Sequence, residues 1–503
     1  MEKRKNLAVY TFIYLSLLSL PTLAAEYWVS KNGDDSNTCS FSETCLTIQR
    51  GVSLLAAGDT LNINAGTYSD DGGSSKYKPS GTFCAWLDST PSSSSVCVDL
   101  NGTKENPITI QATPGHEGQV IIDSQGSRIG IHLQNSDYIH IRGLKIINNA
   151  TIGIASWGQP SNTVADESRL SIGVVVENNE IDNTRGGNGI NASGVGMWGT
   201  RDWVVRNNRI NDISVSSGTN ASGIQTYGTI NALVENNHIT NAVYGIYWKD
   251  HFVQDLETRT PVFESEIRYN LIHNTSSRGI YIGIRGANSP ESGENYIHHN
   301  IIYNYGTAGI AVGTSGAYAI SGPIQLEHNL IDGNGSGHAI SIDSATDINI
   351  SSNIFLRNQY AMEFISYSDL TKQPYLSSSD FNFFSNSLNI VTGRYSSSSF
   401  TYNSLSDWQS LAPTAFSSIV SGSQIGANSI VGSYTEKFIS LDNRNYNYTS
   451  NAFKIKENGK NIGPYETGLE SIGLKPNWPR YSNVNTLPKA NPPPGGVTVK
   501  KLE

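Results

Sequence analysis

The sequence predicts an all-β solenoid, a stack of parallel β coils, and three observations carry that prediction. First, segments of the form apolar-x-apolar-x-x-Asn-x-Ile recur along the chain, among them VVVENNEIDN, WVVRNNRIND and ALVENNHITN. Their marker asparagines are Asn179, Asn208, Asn237, Asn270, Asn300, Asn329 and Asn353, spaced by 24 to 33 residues. A repeat of that length with apolar alternation and Gly/Asn turns is one supersecondary unit stacked on its neighbours. Second, each marker is followed by a strand that opens Gly-apolar or Ala-apolar and alternates with period two. Third, the composition suits a turn-rich β protein: 48 glycines, 3 methionines and 15% charged residues in 503. The asparagines themselves read as structural. An inward Asn at a bend satisfies turn backbone groups and stacks on its counterpart in the next coil.

In chain order, residues 1–25 read as a signal peptide. Lys3, Arg4 and Lys5 precede an apolar run from Leu7 to Leu20, and Ala24 and Ala25 supply a small-residue cleavage site. The expectation is export, secreted or periplasmic, with no membrane partner, because no later stretch is apolar enough to span. Four cysteines suit that compartment, and their spacing favours two local bridges, Cys39 with Cys45 and Cys84 with Cys97. Residues 26–106 are expected to hold an N-terminal cap and the first coils. EYWVSKNGDD gives a strand and turn; Ile48, Val52 and Leu55 stand at near-helical spacing; LNINAGTY resumes as a strand. Residues 107–400 then carry the coils. Residues 401–503 form an irregular C-terminal cap and tail, in which SLSDWQSLAPTAFSSIV is expected to be a short helix. The opening also resembles the N-terminal segment shared by many secreted right-handed parallel β-helix proteins. By that likeness the fold is a right-handed parallel β-helix with a short N-terminal capping helix.

Counting the Gly or Ala of each second strand as zero, positions one and three are apolar and point inward, as in Ile246 and Trp248 or Ile280 and Ile282. Positions two, four and six therefore point out. Position four reads Trp157, Trp198, Tyr227, Lys249, Gly283, Gly313 and Asp343 down the stack. Position two reads Gln225, Tyr247, Tyr281, Ala311, Ser341 and Glu363, and position six places Arg285 beside His251. One exposed face thus has an aromatic ramp, a cationic centre, a glycine step and a carboxylate end. Rungs about 4.8 Å apart would let Lys249 and Arg285 converge on one sugar ring. Exposed aromatics on a flat sheet call for a stacking partner, and sugars have apolar faces.

The rungs GIYWKDH and GIYIGIRGAN resemble the catalytic rungs of family-6 polysaccharide lyases, the alginate lyases and chondroitinase B. That resemblance implies β-elimination on a uronate polymer, with Lys249 as base and Arg285 neutralising or protonating. The residues fit the chemistry on their own terms. Elimination needs a group that neutralises the carboxylate, a base for the C5 proton and a proton for the leaving oxygen. Lys249 and His251 are the candidate bases, and Tyr281 is a second candidate for proton delivery. Trp157, Trp198, Tyr227, Tyr247, Asp343 and Glu363 are the candidate substrate contacts. No cofactor or metal is expected. The acidic residues that hold calcium upstream of the lysine in many family members are replaced here by Ala242 and Tyr244, although backbone and Asn-rich turns leave calcium open.

Two other readings stand beside this one. A β-helix glycoside hydrolase would use paired carboxylates, for which Asp343 and Glu363 stand on successive rungs. A non-catalytic polysaccharide-binding solenoid would keep the aromatic ramp alone, while a polyuronate epimerase shares the proton abstraction. The formal charge of −9 argues against a nucleic-acid partner and leaves room for a locally positive groove facing an acidic polysaccharide. The chain is expected to act as a monomer.

Overall fold

The computed structural model describes residues 24–69, 77, 94–157, 170–187, 191–216, 220–250, 265–284, 295–313 and, with short interruptions, 324–366 and 376–478. They form a right-handed parallel β-helix with three faces. One face begins with Glu26–Val29, Thr60–Ile63, Ile108–Ala112 and Ile139–Arg142, and continues by parallel pairing to Leu376–Asp380. A second runs from Gly66–Tyr68 through Glu180–Gly186 and Arg209–Val215 to Ile430–Gly432. The third, which holds the columns singled out above, includes Ala192–Arg201, Ala221–Ile230, Ala308–Gly313, His338–Asp343 and Tyr360–Ser366. The long strands His238–Asp250 and Leu271–Ile284 pass through the bend and serve both of the last two faces.

The period-two alternation sends the expected side chains inward. Ile154, Val195, Met197, Ile224, Ile246, Trp248, Ile280, Ile282, Ile310 and Ile340 are all buried in one continuous core. Each such aliphatic side chain contributes roughly 2 kcal/mol of burial. At the bend, the residue counted as zero must come close to the adjacent coil. A methyl group built on Gly245 would overlap Ile272 Cγ2 and the Gly279 carbonyl, and Gly194, Gly223, Gly279 and Gly309 meet the equivalent neighbours. Glycine suits this close approach in the earlier coils, and the small, fully buried Ala339 and Ala361 take the same place in the later ones.

The marker asparagines form an internal ladder, as expected. Asn237 Nδ2 donates to Val205 O at 2.9 Å and to Asn270 Oδ1 at 3.1 Å, while Asn237 Oδ1 accepts from the Asn208 backbone N–H at 3.0 Å. The same bonds link Asn179 to Asn208, and run through Asn300, Asn329 and Asn353 to Asn382. The residue before each marker takes the left-handed conformation, with φ of 57° at Asn178 and 54° at Asn207 and Asn236. Asparagine tolerates that region better than most residues. Outside the first face, charges alternate down one column: Arg206 bonds Glu177 at 2.7 Å, and Arg268 bonds Glu235 at 2.9 Å, all four buried.

Both expected helices are present. Ile48–Val52 is capped by Thr47, whose hydroxyl accepts from Arg50 N, and it buries Ile48 and Val52 over the first coil. Leu405–Ala415 closes the other end by placing Trp408 against Phe364. The Cys39–Cys45 bridge is formed and Cys97 is disulfide-bonded, while Cys84 and residues 1–23 of the signal peptide expected over 1–25 lie outside the described residues. Among the described residues no helix is long and apolar enough to cross a membrane.

Beyond that helix the C-terminal segment also packs along the side of the stack. Phe438, Tyr446 and Ile462 cover Ile301, Leu330, Ile354 and Phe383 on the outer side of the second face. Gly463 N then bonds Ser352 O, Gly473 N bonds Tyr269 O and Trp478 Nε1 bonds Asn207 O, so the chain runs back along the stack. The reason lies in the column after the marker asparagines. It is Glu180, Arg209 and His238 in the earlier coils and becomes Leu271, Ile301, Leu330, Ile354 and Phe383. That apolar strip needs cover.

Candidate active site

Strand register aligns the columns as the sequence ordered them. Trp198, Tyr227, Lys249 and Gly283 stand in successive rungs, as do Gln225, Tyr247, Tyr281, Ala311, Ser341 and Glu363, and Gly313 leads on to Asp343. Trp157, at the end of strand Ile152–Trp157, pairs with Gln134 of the neighbouring strand Ile129–Gln134, and its side chain is not among the described ones. His251 and Arg285, two of the four candidate catalytic residues, lie outside the described residues.

The face expected to be exposed is largely covered. Trp198 and Tyr227 are 5% exposed, and Tyr247 and Lys249 are 8% exposed. The aromatics bury one another: Trp198 stacks on Tyr227 with centroids 5.5 Å apart, and Tyr247 stacks on Tyr281 at 4.8 Å. Trp198 also folds over Gly196, where a side chain would collide with its ring. The glycine step is filled as well, because a Cβ on Gly283 would come within 2.8 Å of Tyr247 and 3.0 Å of Tyr281.

Lys249 is drawn into this aromatic cluster. Its Nζ donates to Tyr227 Oη at 2.9 Å and lies 4.8 Å from the Tyr227 centroid and 5.6 Å from that of Tyr247. Two further donors reach the same phenolic oxygen, Gln225 Nε2 at 3.1 Å and Asn191 Nδ2 at 3.0 Å. Both amides are oriented by a second bond: Gln225 Oε1 accepts from Ser193 Oγ, and Asn191 Oδ1 accepts from Asn220 N. A water-poor surrounding strengthens all of these interactions.

The cation on the other side is one that sequence reasoning missed. Arg278 pairs in register with Tyr244 and lies over the Tyr281 ring at 4.4 Å and the Tyr244 ring at 6.0 Å. Among the described residues no carboxylate pairs with it. Its signal was the residue immediately before the glycine in SSRGIYIG. That residue belongs to a further column that precedes the glycine or alanine of each strand, Ser222, Tyr244, Arg278, Ala308, His338 and Tyr360.

Further along, the strip changes sign. Glu363 accepts from Ser341 Oγ at 2.8 Å and faces His338 Nε2 at 3.4 Å, and His338 stacks on Tyr360. Burial holds the His338 imidazole below its ordinary value, against the opposing pull of Glu363. Between this group and Arg278 the rung carries only Ala308, Ala311 and Gly313. Asp343 stands one rung and two residues from Glu363, as expected, three rungs from Lys249. Among the described residues no group of three His, Cys, Asp or Glu is arranged to hold a metal.

With this geometry in hand, comparison with known proteins places the chain among β-helices. Residues 129–323 match a family model described as a right-handed β-helix region. No curated protein matches the sequence. Similar solved structures include the pectate lyase Pel9A, at 11% identity over 88% of this chain and 97% of that one, with a TM-score of 0.47. They also include a mannuronic acid specific family-6 polysaccharide lyase from human gut microbiota, at 14% identity over 74% of this chain and 77% of that one, TM-score 0.44. A third is the A-module of the Azotobacter vinelandii mannuronan C-5 epimerase AlgE6, at 16% identity over 75% and 90%, TM-score 0.40.

Proposed function

We propose that this chain is a polysaccharide lyase that cleaves an acidic, uronate-containing polysaccharide by β-elimination. The observation that carries the reading is Arg278. A guanidinium with no carboxylate partner among the described residues lies over the Tyr281 ring, 4.4 Å from its centroid, in the same aromatic cluster that holds Lys249. A planar guanidinium pairs with a carboxylate through two parallel hydrogen bonds, and neutralising the uronate carboxylate is the first requirement of elimination. Tyr281 is half-buried beside that guanidinium, and the buried Lys249–Tyr227 pair supplies proton chemistry in the same cluster.

The hydrolase reading requires Asp343 and Glu363 to act as a pair across the scissile bond. Glu363 is instead held by Ser341 and His338, which suits a carboxylate that binds hydroxyl groups. The test is a panel of alginate, polygalacturonate, hyaluronan and chondroitin sulfate incubated with the protein, followed by the ultraviolet absorbance of a conjugated unsaturated uronate. A rise with one polymer, lost in Arg278→Ala, is the expected result. Reducing ends that accumulate without that absorbance would overturn the lyase reading.

A further inference from the structure

We infer that the bend between the second and third faces holds a separate sugar-binding pocket, which takes the hydroxyl groups of one uncharged sugar unit. Its use as a remote anchor rests on the polysaccharide reading above. A cavity of about 360 Å³, open to solvent, is lined by Asp123, Gln125, Asn148, Asn149, Asn183 and Arg185. Pockets that hold small ligands begin near roughly 300 Å³, so the volume suits one sugar ring. Asp123, Asn148 and Asn183 are half-buried, and Gln125 and Arg185 are exposed, which leaves the approach clear.

Hydrogen bonding gives the pocket a fixed polarity. Asp123 Oδ1 accepts from Gln125 N and from Asn148 Nδ2, both at 2.9 Å. A carboxylate only accepts, so Asn148 must present its amide nitrogen there and its oxygen to the next coil. Asn183 Nδ2 in turn donates to Asn148 Oδ1 at 2.5 Å. Two acceptors are left over, Asp123 Oδ2 and Asn183 Oδ1, and neither bonds any group among the described residues. Gln125 is oriented by the same logic: its Oε1 accepts from Arg128 Nη2 at 3.3 Å, and its Nε2 stays available as a donor. Beneath them the buried Asn149 is held from both sides, accepting from Ser124 Oγ and donating to Thr184 Oγ1.

The charges select the ligand. Arg185 does not make this an anion site, because Nη1 donates to Asp212 Oδ1 and Ser214 Oγ, each at 2.7 Å, and Nη2 bonds Asp212 Oδ2. With that cation neutralised and the Asp123 carboxylate in the same lining, a uronate carboxylate is repelled. The open groups are two acceptors and an amide donor. A hydroxyl both donates and accepts, so the polyol edge of a neutral sugar matches that mixture. Strand register, running Glu180, Arg209, His238 and Leu271, sets the Asn183 coil three rungs, about 14 Å, from the coil of Arg278. An extended polymer running along the stack would meet both.

Saturation-transfer NMR on the full chain tests this, with glucose, galactose, mannose, xylose and rhamnose as probes. At least one sugar is expected to receive saturation, and to lose at least five-fold of it in Asp123→Asn, which keeps the side-chain shape but lets Asn148 turn over. Gln125→Ala is expected to weaken transfer as well, and a thermal melt shows whether each variant is folded. Should Asp123→Asn fail to fold, the exposed Gln125→Ala carries the test. Arg278→Ala is expected to leave transfer intact. No transfer from any of the five, or transfer that survives the pocket substitutions, overturns the inference. Transfer lost only in Arg278→Ala would seat the sugar on the tyrosine strip and overturns it too. If no polymer yields an unsaturated product the lyase reading falls, while the NMR result still decides the pocket.

Discussion

Tyr247 and Tyr281 stack with centroids 4.8 Å apart, the spacing of adjacent rungs, and each carries a cation: Lys249 Nζ lies 5.6 Å from Tyr247 and Arg278 Cζ 4.4 Å from Tyr281. The two positive groups therefore flank one aromatic step instead of meeting at a single point. A sugar docked beside this step would meet one cation on either side of it.

Arg278→Ala is expected to lower kcat/KM on the responding uronate polymer by about a hundred-fold, and Arg278→Lys to recover only part of it, because an ammonium cannot reproduce the two parallel bonds. The side chain contacts the Tyr244 and Tyr281 rings on the outer strip, so the melting temperature should barely change. Steady-state kinetics with a thermal melt checks both. Equal activity of the arginine and alanine forms would remove Arg278 from the site.

Asn237→Ala removes one link of the internal ladder. It deletes two donated bonds and leaves the Asn208 backbone N–H without its acceptor, in a position that is fully buried. The expected cost is about 3 kcal/mol. Asn237→Asp should cost more, since it loses the donors and adds a buried charge. Denaturant titration gives the numbers, and a change below about 1 kcal/mol would contradict the ladder's role.

Gly245→Ala places a methyl group against Ile272 Cγ2 and the Gly279 carbonyl. The neighbouring coil must yield, at an expected cost of about 1–3 kcal/mol. The same substitution shifts Tyr244 and Tyr247, its near neighbours in the aromatic cluster, so activity should fall more than stability. A melt within error of wild type would show that the coil spacing relaxes freely.

Stability should decline with acid over a defined window. Burial lowers the His140 and His238 imidazoles from 6.5 to about 4, and at His238 the His273 ring adds to the effect. His238 Nε2 and His273 Nε2 lie 2.8 Å apart, a bond that needs one neutral ring as acceptor. A histidine lowered in the folded state binds its proton only in the unfolded chain between these values. Stability is therefore complete above pH 6.5, falls as pH drops toward 4 and then levels, by up to about 3 kcal/mol per histidine. Denaturation midpoints across that range, compared with His238→Asn, check it. A flat profile would contradict the burial assigned to these rings.

Much of this architecture is legible in the sequence because it is periodic. The marker asparagines identify every internal rung from Asn179 to Asn353, and the bend glycines identify the close approach between coils. The C-terminal course is legible too, in the change from Glu180, Arg209 and His238 to Leu271 and Ile301, although it reads as a covered strip only once the coils are aligned. Arg278 is hidden for a physical reason. At the bend, Gly279 and Ile280 both belong to the inner side, so the strict alternation slips by one and the residue before the glycine turns outward. The burial of Trp198 and Tyr227 is hidden because it depends on rings folding over Gly196 and stacking between coils, which residue types alone do not encode.

Cleavage in heavy-oxygen water, followed by mass spectrometry of the fragments, tests the elimination claim most directly. Elimination breaks the C4–O bond without adding water, so the account predicts fragments with an unsaturated non-reducing end, one water lighter than hydrolysis products, and no heavy oxygen gained in cleavage. Saturated fragments carrying one heavy oxygen per broken bond would contradict it and identify a hydrolase.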